Sequence, residues 1–161
     1  MSTNKYPYIY DLIASILTFT ILILSNILPR GENSYLKIAG VCLLVCAASI
    51  WVLPFFHLKK YGNVNEGDNY YETNNVVEKG IYGIVRHPQY LAYILFVIGF
   101  TLLSQNLIII IIALISILLF YVHTIDEEKN LRDRFSEAYE AYCSRVPRFN
   151  ILAGIINRLK R

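Results

Sequence analysis

Between His87 and Ile125 the chain runs for 39 residues without an Asp, Glu, Lys or Arg. A helix rises about 1.5 Å per residue and a hydrocarbon core about 30 Å thick needs roughly 20 residues, so this run is long enough for two spans. Its one polar cluster, Ser104-Gln105-Asn106, marks the turn between them. Two further charge-free blocks precede it, Leu12–Leu28 and Ile38–Leu58. The spacing predicts four spans at about 8–28, 36–58, 88–104 and 106–125. A loop at 59–87 and a tail at 126–161 complete a single membrane domain over 1–161. Buried helices of a soluble bundle would need polar outer faces, and neither Ile108–Ile112 nor Ile21–Leu24 offers one. The expected fold class is therefore all-α, an integral-membrane helical bundle.

Charge supports the same reading and orients it. Only 17% of the residues are charged, against about 25% in an ordinary soluble domain. With both termini cytoplasmic, 13 Lys and Arg lie inside and two, Arg30 and Lys37, outside. Tyr6, Tyr8, Tyr10, Trp51, Tyr61 and Tyr121 fall near the proposed span ends, as an aromatic belt would place them. The first block, preceded only by Lys5 and lacking a small-residue cleavage site, is not read as a signal peptide. The net charge of +3 suits anionic lipid headgroups. No basic stripe interleaved with aromatics suggests nucleic acid. Cys42, Cys46 and Cys143 form no CxxC pair or His/Cys cluster, so no metal is expected, and Cys42 and Cys46 read as small apolar fillers.

Chemistry is then to be sought in the loop and the tail. The loop closes on Asn74-Asn-Val-Val-Glu-Lys-Gly-Ile-Tyr-Gly-Ile-Val-Arg-His-Pro-Gln-Tyr90. Pro88 fits the first position of a helix, which puts His87 at the start of the third span. Gly80 and Gly83 permit positive φ or close backbone approach, and a segment of this kind can offer amides to a ligand. In the tail, Leu131, Phe135, Ala138, Tyr139 and Tyr142 recur at helical spacing and predict an amphipathic helix ending before Pro147. A second short basic helix is expected from Ile151 to Arg161. Taken singly, these features have plain structural readings: a snorkelling Arg86, a helix-starting Pro88, Asp126-Glu127-Glu128 as acids at a helix N-terminus, and Asp11 as an interfacial cap.

Taken together they carry a resemblance. Gly80-Ile-Tyr-Gly-Ile-Val-Arg-His-Pro-Gln-Tyr90 resembles the G-x-Y-x-x-x-R-H-P-x-Y signature of the isoprenylcysteine carboxyl methyltransferase family and its phospholipid methyltransferase relatives. Glu127-Glu128-x-x-Leu131-x-x-x-Phe135, with Tyr139, Tyr142 and Val146-Pro147-Arg148-Phe149, is similar to that family's tail. The two motifs occur in the right order and flank a helical hairpin, covering residues 74–149. The resemblance implies an S-adenosylmethionine-dependent methyltransferase acting on a lipophilic or prenylated small-molecule substrate within the bilayer.

It further implies cofactor contacts from Asn74, Asn75, Val76, Val77, Tyr82, His87, Pro88, Gln89, Tyr90 and Glu128. On this reading Glu128 meets the cofactor's ammonium or ribose hydroxyls, the tyrosines supply aromatic faces, and amides near His87 meet its carboxylate. His123 and Glu127 are the candidate catalytic residues, needed if the acceptor is an amine that must lose a proton. Two positions depart from the family pattern. Ala92 stands where Gly is common, and His123 stands where an Arg often contacts the substrate carboxylate; a neutral imidazole is the weaker anion partner.

A prenylcysteine-type carboxylate and a phospholipid amine both remain open as acceptors. Rival readings are a small four-helix transporter, which would want an ionisable group deep in a span, and a related nicotinamide-dependent membrane reductase. The minimal four-span form points to a bacterial inner membrane.

Overall fold

The computed structural model describes residues 8–67, 69 and 71–160; Lys5, Tyr6, Asp68, Tyr70 and Arg161 lie outside them. Five α-helices follow in order: α1 (Ile9–Ile27), α2 (Ser34–Tyr61), α3 (Pro88–Ser104), α4 (Leu107–Arg145) and α5 (Ile151–Leu159). A 3₁₀ turn spans Gly80–Gly83, and no strand occurs among the described residues. The protein is a helical membrane bundle. Among the described residues, α1, α2 and α4 are long and apolar enough to cross a bilayer, and α3 is a shorter apolar helix of 17 residues. Leu12, Ile16, Phe19 and Ile23 lie exposed at i+3 and i+4 steps along α1, as do Ile111, Leu114, Ile115 and Leu118 on α4. Exposed apolar faces of this kind are solvated by lipid. Cys42 and Cys46 are exposed on α2 among such residues.

The chain divides into two compact units. The first comprises residues 1–48 and 92–127. Small residues let its helices approach: a Cβ at Gly40 would stand 2.8 Å from the Gly99 carbonyl oxygen, and one at Gly99 would meet Leu44. Hydroxyls make the polar contacts. Ser116 Oγ donates to the Ala14 carbonyl at 3.1 Å and lies 3.0 Å from Thr18 Oγ1. Polar residues tie the connections: Gln105, at φ 54°, donates through Nε2 to the Asn33 carbonyl at 2.9 Å, and Asn106 Nδ2 donates to the Pro29 carbonyl at 3.2 Å. Asn33 and Asn106 also accept amides at the starts of α2 and α4, so each N-terminus is capped by a side chain.

The second unit comprises residues 49–91 and 128–161. It contains the end of α2 beyond Ser49, the polar loop, the 3₁₀ turn, the first turn of α3, the end of α4 beyond Glu128, and α5. Tyr139, Tyr142 and Val146 form its buried apolar cluster, with Val76, Leu131, Phe135 and Cys143 packed around them. Asn150 caps α5 by accepting the Ala153 amide at 3.0 Å. Gly154 packs so closely on the Ile84 carbonyl that any Cβ there would overlap it. Leu152, Ile156 and Leu159 remain exposed on α5.

Two details differ from the sequence expectation. The tail helix is a continuation of α4 beyond the apolar segment, so Asp126-Glu127-Glu128 lie mid-helix and not at an N-terminus. Backbone hydrogen bonds need no change of helix where the side chains pass from apolar to charged. A break does occur, at Ser136 (φ 46°, ψ −123°), where the backbone leaves the helical region. The stripe nevertheless continues past it: Leu131, Phe135, Tyr139 and Tyr142 share the buried cluster, while Ala138 is exposed.

Candidate functional site

Glu128 organises the second unit. Its side chain is 0% exposed, yet it is an acid, so its charge must be compensated in place. Arg148 grips both oxygens, Nε to Oε1 at 2.8 Å and Nη2 to Oε2 at 2.7 Å. Arg86 Nη2 and His87 Nε2 each stand 3.1 Å from Oε1. Arg132, one turn along α4, is 3.6 Å from Oε2 and also binds Glu140 at 2.6 Å. Burial pushes the Glu128 carboxyl up, but the hydrogen bonds from Arg148 and His87 and the charge of Arg86 outweigh it. The group is held well below the usual carboxylate range and stays ionised. With the carboxylate ionised, the facing His87 nitrogen is the donor.

The same side chains fix the chain path. The Arg86 and His87 amides donate to the carbonyls of Pro147 (3.0 Å) and Arg148 (3.3 Å). Pro147 ends the helical register, and the residues after it return alongside the start of α3. The amides before α3 therefore find backbone partners in the tail; they are not the open donors the sequence suggested. Arg86 Nη1 donates to the Cys143 carbonyl at 3.2 Å, while its Nε is buried with no hydrogen-bond partner among the described residues. The His87 ring lies 6.1 Å from Tyr90 and 6.2 Å from Phe149, centroid to centroid. Three sequence motifs, R-H-P-x-Y, E-E and V-P-R-F, thus converge on one carboxylate.

The remaining loop candidates sit around it in the same unit. Asn74 is exposed and braces the loop through Nδ2 to the Asn63 carbonyl at 2.7 Å. Asn75 Nδ2 donates to the Tyr61 carbonyl at 3.1 Å, but its Oδ1 is buried with no hydrogen-bond partner among the described residues. Val77 is buried, and Val76 joins the tyrosine cluster. The Tyr82 carbonyl accepts the Tyr142 hydroxyl at 2.7 Å. Burial pushes the Tyr142 phenol up, so it remains a donor. Pro88 is buried as the first residue of α3, and Gln89 and Tyr90 are half-buried behind it. Arg145 clamps Glu78 with 2.7 and 2.8 Å bonds, which anchors the approach to the 3₁₀ turn. His123 (3% exposed) and Glu127 belong to the first unit, one helical turn apart on α4.

One neighbour was not foreseen. His57 on α2 stacks on Tyr61 (6.0 Å, 10° between planes), and its Nδ1 is buried with no hydrogen-bond partner among the described residues. Gly80, at φ 65°, lies against this ring, and any Cβ there would overlap the imidazole. The motif glycine is explained both by its left-handed backbone and by its contact. A lone His near the end of an apolar block carries no motif of its own. Its only sequence signal is that it is the one titratable ring in Ile38–Leu58.

The phospholipid methyltransferase family matches residues 35–138, well over half of the chain. No curated protein and no solved structure matches it.

Proposed function

This chain belongs to the phospholipid methyltransferase family, integral-membrane methyltransferases of lipid-type substrates, and from that premise we propose that it uses S-adenosylmethionine to methylate a phospholipid amine. The observation that carries the reading is the convergence of the three motifs on Glu128. When bound, the cofactor supplies a methyl group on a positively charged sulfur for in-line transfer to a nucleophile.

The residues present fit such a group. The buried acceptor Asn75 Oδ1 and the buried ring nitrogen His57 Nδ1, both beside Tyr61, suit the polar edge of a nucleoside. Arg86 and Arg148 together outweigh the single charge of Glu128, and the unpaired Arg86 Nε suits a carboxylate. Tyr82 and Tyr90 supply aromatic faces toward a cation. His87, Pro88 and Gln89 set the start of α3, and Asn74, Val76 and Val77 hold the loop in place. Glu128 acts as a positioning residue. It orients Arg86, His87 and Arg148, and direct contact with a ligand would require it to exchange one of these partners.

An amine must lose its proton before it can act as a nucleophile. His123 is the proposed acceptor of that proton on an imidazole nitrogen, with Glu127 one turn away to stabilise the imidazolium. Loss of the Arg that carboxylate-binding relatives place at this position favours the amine over a prenylcysteine-type carboxylate. The 13-to-2 distribution of Lys and Arg supports a cytoplasmic face for the loop and the tail, in a bacterial inner membrane.

Calorimetric titration of the detergent-solubilised chain with S-adenosylmethionine tests the cofactor. Saturable binding is expected, weakened about tenfold or more in Asn75→Leu and in Tyr90→Ala with the melting temperature little changed. Absence of binding by folded protein at millimolar cofactor would overturn the reading. Undiminished binding in both variants would overturn the site assignment.

A further inference from the structure

Asp11 is the only charged side chain in the 19 residues of α1. It lies in the first turn, where an acid ordinarily serves the helix N-terminus, and the N-cap residue Tyr8 makes no side-chain cap there. The Asp11 Oδ1 is instead buried, with no hydrogen-bond partner among the described residues. A carboxylate oxygen taken from water in this state is costly unless a cation or donor meets it.

The register of α1 on α4, both within the first unit, shows what Asp11 faces. Tyr8 meets the His123 ring at 6.3 Å, the Ala14 carbonyl accepts Ser116, and Thr18 touches Ser116. Asp11 falls between Tyr8 and Ala14 and so faces the stretch of α4 between Ser116 and His123. His123 lies at the Tyr8 end of that stretch, and Glu127 follows it one turn further along the same face of α4. The buried Asp11 oxygen thus shares one end of an otherwise apolar helix pair with an imidazole and, one turn further along α4, a second acidic side chain. Such a set attracts an alkylammonium group, which brings one positive charge and up to three N–H donors, and repels a carboxylate.

We infer that Asp11, with His123 and Glu127, recognises the ammonium group of the lipid acceptor and sets the preference for amines over anionic headgroups. This deepens the proposed function and rests on it for the identity of the lipid as acceptor. Asp11 is a specificity-determining residue here; proton removal is left to His123.

Binding without cofactor separates the two ideas. The full chain in detergent is titrated by calorimetry with dihexanoyl phosphatidylethanolamine and, separately, with dihexanoyl phosphatidylglycerol. The wild type is expected to prefer the amine lipid. Asp11→Asn should weaken that binding about tenfold or more and leave phosphatidylglycerol unchanged or tighter. Asp11→Glu, which restores the charge, should recover to within a few-fold, and it carries the test if the Asn variant does not fold. Wild-type affinity in folded Asp11→Asn, an equal loss of both lipids, or no recovery in folded Asp11→Glu would overturn the inference. A wild type that binds the amine lipid through Asp11 yet transfers no methyl group would overturn the proposed function and leave this inference standing. Methylation of amine lipid by Asp11→Asn with an unchanged KM would do the reverse.

Discussion

The two units of this protein solve the problem of buried polarity in opposite ways. The first holds its helices with glycine contacts and neutral hydroxyl bonds: Gly40 against Gly99, and Ser116 against Ala14 and Thr18. The second is bound by charge, with Glu128 gripped by Arg148, Arg86 and His87, and Glu78 by Arg145. A span facing lipid has nothing to gain from charge, because an unpaired ion there is costly and a paired one must be desolvated. In the loop and tail the apolar contact is confined to one stripe, packed in the Tyr139–Val146 cluster, and ion pairs fix the path of the chain around it. Strength and sensitivity should therefore be distributed unequally, and single substitutions can measure that inequality.

The largest effect belongs to Glu128→Gln. It removes the negative charge shared by two largely buried guanidiniums and leaves them in mutual repulsion. A loss of about 3–5 kcal/mol from the second unit is expected, read as denaturant unfolding in detergent and as early proteolysis after residue 128. The pH profile has a fixed sign. The folded carboxyl is held below its ordinary value of 4.5, so the stabilisation is complete above that value and declines as the pH falls below it. Gln at this position should remove that decline. A variant as stable as the wild type, with the same acid profile, would mean the ion-pair hub contributes nothing net.

In the first unit the counterpart is steric. Gly40→Val places a branched side chain where a single Cβ already comes within 2.8 Å of the Gly99 carbonyl. About 2 kcal/mol of destabilisation follows from forcing the helices apart, with no dependence on pH or salt. Thermal unfolding at low and high ionic strength checks this: the Gly40 variant should shift equally in both. If its loss were as salt-sensitive as that of Glu128→Gln, the division between charge-held and contact-held units would fail.

How much of this was legible beforehand follows the same division. The turn at 104–106 could be read because it is the one polar cluster in a 39-residue apolar run. Pro88 announced the start of α3 through its missing donor. The continuity of α4 to Arg145 could not be read, because Asp126-Glu127-Glu128 looks the same at a helix start as on a helix leaving the membrane. Ser136 offered no Gly or Pro to mark the break. For the site, the motifs named His87, Glu128 and Arg148 but not that all three meet at one pair of oxygens. That depends on the chain reversing after Pro147, which is a matter of tertiary path. Asp11 read plausibly as an interfacial cap, and only the register of α1 on α4 showed what it faces.

A smaller test sits on the second unit's neutral bond. Tyr142→Phe removes the hydroxyl that donates to the Tyr82 carbonyl at 2.7 Å and keeps the ring in the Tyr139–Val146 cluster. A half-buried acceptor loses its side-chain partner, so about 1 kcal/mol is expected in denaturant unfolding. A loss approaching that of Glu128→Gln would show that the hub and the tyrosine cluster act as one network.

The smallest expected effect is the most discriminating for the membrane half. Ser116 is fully buried, and its hydroxyl joins α4 to α1 through the Ala14 carbonyl and Thr18. In water-soluble proteins, cutting a buried hydrogen bond of this kind costs about 1 kcal/mol. Among spans the cost is smaller, about 0.6 kcal/mol, because helices separated within the membrane find other partners for the same groups. The Ala14 carbonyl illustrates why: it already accepts Thr18 Oγ1 at 2.8 Å, so Ser116→Ala leaves it satisfied. Ser116→Ala should thus be nearly silent in unfolding measurements, and Thr18→Val added to it should cost more than either change alone, since together they leave only the helix's own bond to that carbonyl. A large loss from Ser116→Ala by itself would mean that this single hydroxyl, and not the glycine contact at Gly40, sets the packing of the first unit.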